Sequence, residues 1–379
     1  MKKALIVIPT YNERENIKIL IPEIFKVTAL IKNWKIDILI VDDTSPDKTG
    51  EEVNKLIKTY PHLHLVTGEK EGLGRAYIRG FRYGNSHMKP DVIFEMDADG
   101  QHDPNLIPHF LKKIDKGSDF VIGSRYIKGG SIPHHWKISR KFYSIIGNLV
   151  AKLGFMHLEI HDWTSGYRCI SASFLEKIIS EMKGYNGYVF QIALLDKAIK
   201  SHLRISEIPL NFTDRREGVS KFDSGEFIIN ASLYVINHST FIKFVIVGLI
   251  GFVIDFALAA FLIYVFNIYK PHANAISAEF AIISNFLLNN FWSFKHKKIS
   301  HRSMTYIKKF ISFNFVSSGS ILVQWFGMLI LIKVFGDHVV NIIFFSIPTW
   351  IIYKIFIIFF IIIPYSYFMY NKIIWTNKQ

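Results

Sequence analysis

Two aspartates one residue apart, Asp97 and Asp99, with Gln101 two positions further on, stand at the end of the apolar run Val92-Ile93-Phe94. If the chain stays extended there, residues two apart point to the same side, and three oxygen ligands face one way. Hard divalent cations such as Mg²⁺ or Mn²⁺ take such ligands and commonly share them with a diphosphate. For a lone Asp-x-Asp the plain alternative is a solvated strand end or a helix cap, so the other polar clusters must decide. A cationic set follows: Ser124-Arg125-Tyr126 leads through Gly129-Gly130 to a helix that carries Arg140, Ser144 and Asn148 at four-residue spacing. Arginines and a hydroxyl on one helical face suit a phosphate through charge-assisted hydrogen bonds, although an ordinary charged surface helix has the same pattern. The loop Asp162–Arg168 adds an acid, hydroxyls and a glycine. The run Asp214–Lys221 gathers basic residues around Gly218, as a salt-bridged turn or as a cover for a diphosphate.

The elements that must position these groups are short apolar strands alternating with amphipathic helices. Expected strands are 4–9, 37–43, 63–68, 92–99, 119–125 and 204–212. Asn12, with Glu15 three residues later, is the expected cap of the first helix, and Asp47 and Asp103-Pro104 announce two more. Such alternation predicts an α/β domain built on a mainly parallel sheet, whose ligands bind beyond the carboxyl ends of the strands. The clusters Thr10–Glu13, Asp42–Ser45 and Asp97–Gln101 all fall at those ends. Three on one rim favour a site over solvated loops.

Composition narrows the partners. The chain has 379 residues, half of them hydrophobic and 15% aromatic, with a formal net charge of +14. That combination points to a membrane surface or anionic substrates. No recognised nucleic-acid module is present, and the basic residues form no aromatic-interleaved patch, so no nucleic-acid partner is expected. One cysteine, Cys169, excludes a disulfide framework, and the first apolar run is too short for a signal peptide.

In order, Pro9-Thr10-Tyr11-Asn12-Glu13, Val41-Asp42-Asp43, Asp97-Ala98-Asp99-Gly100-Gln101, Ser124-Arg125-Tyr126, Thr164-Ser165-Gly166-Tyr167-Arg168 and Asp214-Arg215…Gly218…Ser220-Lys221 resemble the family 2 glycosyltransferases of GT-A type, and among them the dolichyl-phosphate mannose synthases. The resemblance implies a Rossmann-like GT-A catalytic domain, a GDP-mannose donor, Mg²⁺ or Mn²⁺, and a dolichyl or other polyprenyl phosphate acceptor. It implies that Pro9, Tyr11, Glu13, Val41, Asp42 and Asp43 hold the nucleoside. Asp97, Ala98, Asp99 and Gln101 would hold ribose, diphosphate and metal, with Asp97, Asp99 and Gln101 as metal ligands. Arg215 and Lys221 would bind the donor diphosphate, and Arg125, Arg140 and Ser144 the acceptor phosphate. Asp97, Asp99, Arg125 and Arg140 are the implied catalytic set. Ala193 departs from the pattern, standing where family members often carry an acid, and Gly100 and Asp103 replace the more usual leucine and proline.

Charge dictates the expected chemistry. A phosphate monoester with a second pKa near ~6 is already an anionic nucleophile at neutral pH and needs no general base. What it needs is shielding of two like-charged phosphates, after which one in-line displacement inverts the anomeric centre to a β-linked product. A sugar-hydroxyl acceptor would instead need a base, for which Asp162 is the nearest candidate. A UDP-glucose donor, and a lipid-linked-sugar translocase with an inactive transferase domain, are the alternative readings.

The expected division is a catalytic domain over 1–222, an interfacial or linker helix over 223–240, and a membrane domain over 241–379. Four apolar segments, 241–266, 273–292, 310–335 and 344–369, are each long enough to span a bilayer. Lys295, Lys297, Lys298, Arg302, Lys308 and Lys309 concentrate in the loop between the second and third. By the positive-inside rule that loop, both termini and the catalytic domain are expected on the cytoplasmic side. Asp255 and Glu279 lie within spans, where an acid has either a function or a packing partner. Phe244…Gly248…Gly251 and Asn285–Phe294 are similar to the four-span GtrA-like family, which typically has a basic residue where Asn290 stands.

Overall fold

The computed structural model describes residues 1–133, 136, 138–182, 184–185, 187–213, 224–268, 270–299, 304–336, 338–342 and 345–375. The chain divides into two compact units, Met1–Val235 and Ile236–Gln379.

In the first unit the elements run β1 (Lys2–Thr10), α1 (Arg14–Thr28), β2 (Trp34–Asp42), α2 (Thr49–Ile57), β3 (Leu63–Thr67), α3 (Leu73–Tyr83), β4 (Val92–Glu95), α4 (Ile107–Asp115), β5 (Phe120–Ser124), α5 (Ile138–Phe155), β6 (Arg168–Ser171), α6 (Ala172–Ile178), α7 (Gly187–Lys200), β7 (Ile205–Pro209) and α8 (Ser224–His238). The seven strands form one sheet in the order β3-β2-β1-β4-β6-β5-β7. All pairings are parallel except those of β6, which runs antiparallel to both β4 and β5. The central strands are apolar on both faces, as a sheet covered on both sides requires: Leu5, Ile6, Val7, Ile8 and Ile38–Val41 are all buried.

Two expectations need correction. The strand expected over 92–99 ends at Glu95, so Asp97, Asp99 and Gln101 sit on a turn and do not share a side by strand alternation. The first helix is not capped by Asn12: its N-cap is Glu13, and Asn12 takes a left-handed φ of 60°. Strand β6 was not among the expected strands. Its four residues, Arg168-Cys169-Ile170-Ser171, are too short and mixed for a periodic signal.

The second unit contains α9 (Thr240–Tyr264), α10 (Lys270–Leu288), α11 (Met304–Phe335), the hairpin β8 (Val339–Ile342) with β9 (Phe345–Pro348), α12 (Thr349–Phe356) and α13 (Ile363–Met369). A π-helical turn over Asn289–Ser293 extends α10, and others lie between and after the last two helices. Two stretches, Thr240–Tyr264 and Ile357–Ile374, are long and apolar enough by themselves to cross a membrane. The fourth expected segment is strand at its start, over 345–348, and helical only from Thr349. Of the two acids, Asp255 accepts a hydrogen bond from Ser277 Oγ (2.6 Å), a packing partner, and Glu279 is exposed on α10. Asn290, where a basic residue is usual, ties the chain together. It accepts from the Ile299 N–H and the Trp375 indole and donates to the Ile299 carbonyl.

Candidate active site

The carboxyl ends of β1, β2 and β4 form one rim. Asp42, at the end of β2, is 2% exposed and accepts from Thr10 Oγ1 (2.9 Å), the Ser45 N–H (2.9 Å) and Ser45 Oγ (2.6 Å). Its carboxylate therefore fastens β1 to the loop after β2. Asp43 is held by Arg79 Nη1 at 2.8 Å, while Arg79 Nη2 donates to the Glu69 carbonyl. Burial raises the Asp43 pKa, against the hydrogen bond and charge of Arg79. Gly68 makes that arrangement possible, since a Cβ there would fall 2.2 Å from the guanidinium carbon of Arg79. Asn12, Thr44 and Lys48 all have left-handed φ values along this rim, a concentration of backbone strain that marks functional loops. Lys70 lies 3.6 Å above the Tyr11 ring. Pro9 and Val41 are paired strand residues beneath the rim, and the Glu13 carboxylate accepts from Asn16 Nδ2.

Beyond β4, Asp97 retains a side-chain exposure of 35% and accepts from the buried hydroxyl of Tyr77 at 3.1 Å. Its backbone N–H donates to His102 Nδ1 at 2.9 Å, which fixes the tautomer with the proton on Nε2. Burial lowers the His102 pKa to about 4, so the ring is neutral; it stacks on Tyr167 at 4.8 Å. Asp99 accepts the Gln101 N–H, and Gln101 Nε2 donates to the Thr213 carbonyl at 2.8 Å. Ala98 is buried between the two acids. Among the described residues no three His, Cys, Asp or Glu side chains cluster as a metal site. The donor set still fits a hard cation: two carboxylates and one amide carbonyl, one carboxylate open at the rim, with a substrate diphosphate to complete an oxygen shell.

Behind this turn lies a buried pair of which the sequence motifs held only Arg168. Glu95 and Arg168 are register partners across β4 and β6, and both are fully buried. Burial pushes the Glu95 pKa to about 8 against the opposing charge of Arg168, whose own pKa is lowered to about 10 by burial. Arg168 donates to the Gln191 and Trp163 carbonyls (2.8 and 2.9 Å), joining α7 to the loop before β6. Neither Tyr77, Arg79 nor Glu95 belongs to a recognisable motif. Only the charge of Glu95 inside the apolar run Val92–Met96 could have drawn notice.

On the cationic side, Arg125 is 7% exposed and grips Asp162 through its Nε and Nη2 (2.7 Å each) and its backbone N–H (3.0 Å), with a further bond to Thr164 Oγ1. Burial works to raise the Asp162 pKa, yet Arg125's charge and hydrogen bonds outweigh it and hold the carboxylate below its usual range. Fully buried and with both carboxylate oxygens engaged by Arg125, Asp162 is not presented to an acceptor hydroxyl as a general base would be. Arg140 stacks on the Trp136 ring at 3.7 Å, and the Ser144 and Tyr126 hydroxyls lie 2.6 Å apart. Asn148, on the same helix, turns inward to accept the Trp163 N–H and donate to Thr164 Oγ1. The Arg125 side chain, expected at the acceptor phosphate, is thus engaged with Asp162 and Thr164, and Asn148 bonds the same loop. Arg215 and Lys221 lie outside the described residues.

Helix α5 carries a second feature. Ile138, Phe142, Ile145, Leu149 and Leu153 are all exposed and follow one another at three- to four-residue steps along one face. Ile229, Leu233 and Ile236 make a similar exposed row on α8, whose inner side is pinned by the Tyr234 hydroxyl donating to Asp196 (2.9 Å).

Residues 5–179 match the glycosyl transferase family 2 model, and residues 243–375 match the GtrA/DPMS transmembrane-domain model. The polyprenol monophosphomannose synthase of Mycolicibacterium smegmatis is 38% identical over 236 residues, 62% of this chain and 86% of the relative. The dolichol-phosphate mannosyltransferase of Pyrococcus furiosus is 33% identical over 304 residues, 77% of this chain and 81% of the relative. The undecaprenyl-phosphate mannosyltransferase of Micrococcus luteus is 36% identical over 234 residues, 61% of this chain and 93% of the relative.

Proposed function

The chain belongs to glycosyl transferase family 2 and carries a GtrA/DPMS transmembrane domain behind the transferase domain; from that premise we propose that it transfers mannose from GDP-mannose to a dolichyl or other polyprenyl phosphate. The observation that carries the acceptor assignment is α5: Arg140 and Ser144 share one helix with five exposed apolar side chains. A phosphate-binding pair beside an apolar face suits an anionic headgroup on a hydrocarbon tail. The mannose and polyprenyl assignments are supported by the names of the three relatives.

The roles proposed for the rim residues are as follows. Asp43 with Arg79, and Tyr11 with Lys70, line the nucleoside end of the rim, while Asp42 keeps β1 and the next loop in register. Asp97, Asp99 and Gln101 would hold Mg²⁺ or Mn²⁺, which would supply neutralisation of charge on the donor diphosphate. Tyr77 and His102 orient Asp97 from either side, and neutral His102 adds no positive charge of its own. Arg215 and Lys221 complete the shielding of the donor diphosphate. On the opposite side Arg140 and Ser144 hold the acceptor phosphate, over a loop kept rigid by Arg125 and Asp162. With the nucleophile already ionised, no proton need move. An in-line attack then gives the β-linked lipid phosphate sugar and GDP. The membrane domain crosses the bilayer four times, with the transferase domain and both termini on the cytoplasmic face.

Membranes carrying the protein, supplied with polyprenyl phosphate and either radiolabelled GDP-mannose or UDP-glucose, test the reading. Label is expected in lipid from GDP-mannose, and label from UDP-glucose alone would reject it.

A further inference from the structure

Away from the rim, the face of α4 and the edge strand β7 enclose a cavity of about 380 Å³ lined by Leu106, His109, Lys112, Lys113, Lys116, Glu207, Ile208 and Pro209. His109, Lys112 and Lys113 sit at positions i, i+3 and i+4 of α4 and share one helical face, and Lys116 is the C-cap residue that follows, at i+7. Lysines near a helix C-terminus complement its dipole, which accounts for Lys112 and Lys113 but not for a fourth basic group a turn earlier or for convergence on one concavity. None of the three lysines has an ion-pair partner among the described residues. Glu207, the one carboxylate among the described lining residues, is already engaged. It accepts from the His161 N–H, the Asp162 N–H (3.0 Å) and His161 Nδ1 (2.7 Å). The cavity thus pairs an apolar wall of Leu106, Ile208 and Pro209 with an uncompensated cationic rim.

We propose that this cavity is a second anion site, distinct from the donor and acceptor positions, which takes a phosphate ester: the lysines meet the phosphate and the apolar wall receives its organic part. Like charges that line one concavity are relieved by a dianion, and a phosphate ester offers several acceptor oxygens to three flexible ammonium groups. The site adjoins the acceptor loop, because Glu207 holds the backbone of His161 and Asp162.

The chemistry has two sources, a phospholipid headgroup or a soluble phosphate ester, and the test separates them. The full chain in neutral detergent is titrated with glycerol 3-phosphate, with short-chain phosphatidylglycerol and with short-chain phosphatidylcholine. The same titrations are run on the triple variants Lys112→Ala/Lys113→Ala/Lys116→Ala and Lys112→Arg/Lys113→Arg/Lys116→Arg. Binding about tenfold weaker in the alanine variant, as the loss of three exposed charge contacts implies, and preserved in the arginine variant supports the site. Lysine-dependent binding of glycerol 3-phosphate identifies a soluble ester, and of phosphatidylglycerol alone a lipid headgroup. Isotherms that are the same for the native and alanine forms, no binding of either anion, or equal binding of phosphatidylcholine would overturn the proposal. Circular dichroism of the alanine variant checks that α4 survives, and the arginine variant decides the matter if it does not.

Discussion

Asp97 and Asp99 differ in what already holds them: Asp97 is open at the rim and bonded by Tyr77, whereas Asp99 is 5% exposed and closes a turn on the Gln101 N–H. In the proposed reading a bound cation draws on both carboxylates, so Asp99→Ala should abolish lipid-linked label while the variant still folds; full activity without that side chain would discard the metal reading. Asp162 makes a different case, because its work is structural. Asp162→Asn leaves the Arg125 guanidinium buried without its counter-charge and should destabilise the domain by about 3 kcal/mol at neutral pH. The sign with pH is set by the depressed folded-state pKa of Asp162. Its stabilisation is complete above the unfolded value near ~3.9 and is lost as pH falls through the lower folded value. Native and variant stabilities, measured by urea unfolding, should therefore converge in strong acid; a constant difference would show that the pair is not the cause.

At the scale of elements, the strands that carry the rim depend on α3 pressing close. A Cβ at Gly80 would come within 2.5 Å of Val7 and 2.9 Å of Val41, branched side chains of β1 and β2 that cannot swing aside. Gly80→Ala should accordingly lose about 2 kcal/mol in denaturant unfolding, and no loss would mean the helix can ride outward freely. The alternation of apolar strands and amphipathic helices made the parallel sheet legible from sequence, and polar clusters at strand ends made the rim legible. What was not legible has physical causes. Strand β4 stops at Glu95 because the chain must turn to bring Asp97 to Tyr77 and His102, a tertiary demand with no local signal. The short antiparallel β6 is held by its neighbours and by Arg168, and it has no periodicity of its own. The exposed row on α5 was readable as spacing, but its direction became evident only once Gly147, Asn148 and Ala151 were seen to face inward. If that row meets lipid, Ile145→Ser/Leu149→Ser should raise KM for a long-chain polyprenyl phosphate while leaving KM for the donor unchanged; a shift in both would point to misfolding.

For the molecule as a whole, the proposed reaction brings a soluble nucleotide sugar and a lipid to one catalytic unit. The first unit contains every described residue of the candidate site, and its last residues, up to Val235, belong to α8, where Tyr234 bonds to Asp196. The second unit contains two stretches able on their own to cross a membrane, an aromatic cluster around Phe286, Phe294, Phe313 and Trp375, and the Asp255–Ser277 bond. Among the described residues of the second unit no acidic cluster suits the metal of a nucleoside diphosphate, so donor binding should survive its removal. A lipid acceptor, however, is confined to the bilayer, and an enzyme tethered there meets it at a far higher effective concentration than one in solution. Truncation after Asn237 should therefore leave a domain with unchanged affinity for GDP-mannose but with about tenfold or more reduced transfer to long-chain acceptors in membranes. With a short-chain acceptor in solution the deficit should disappear, because tethering no longer matters. Donor affinity by titration and transfer to both acceptors measure this directly. Unimpaired turnover on the long-chain lipid would mean that α5 and α8 suffice to hold the first unit at the bilayer, and that the second unit has a task apart from delivering acceptor.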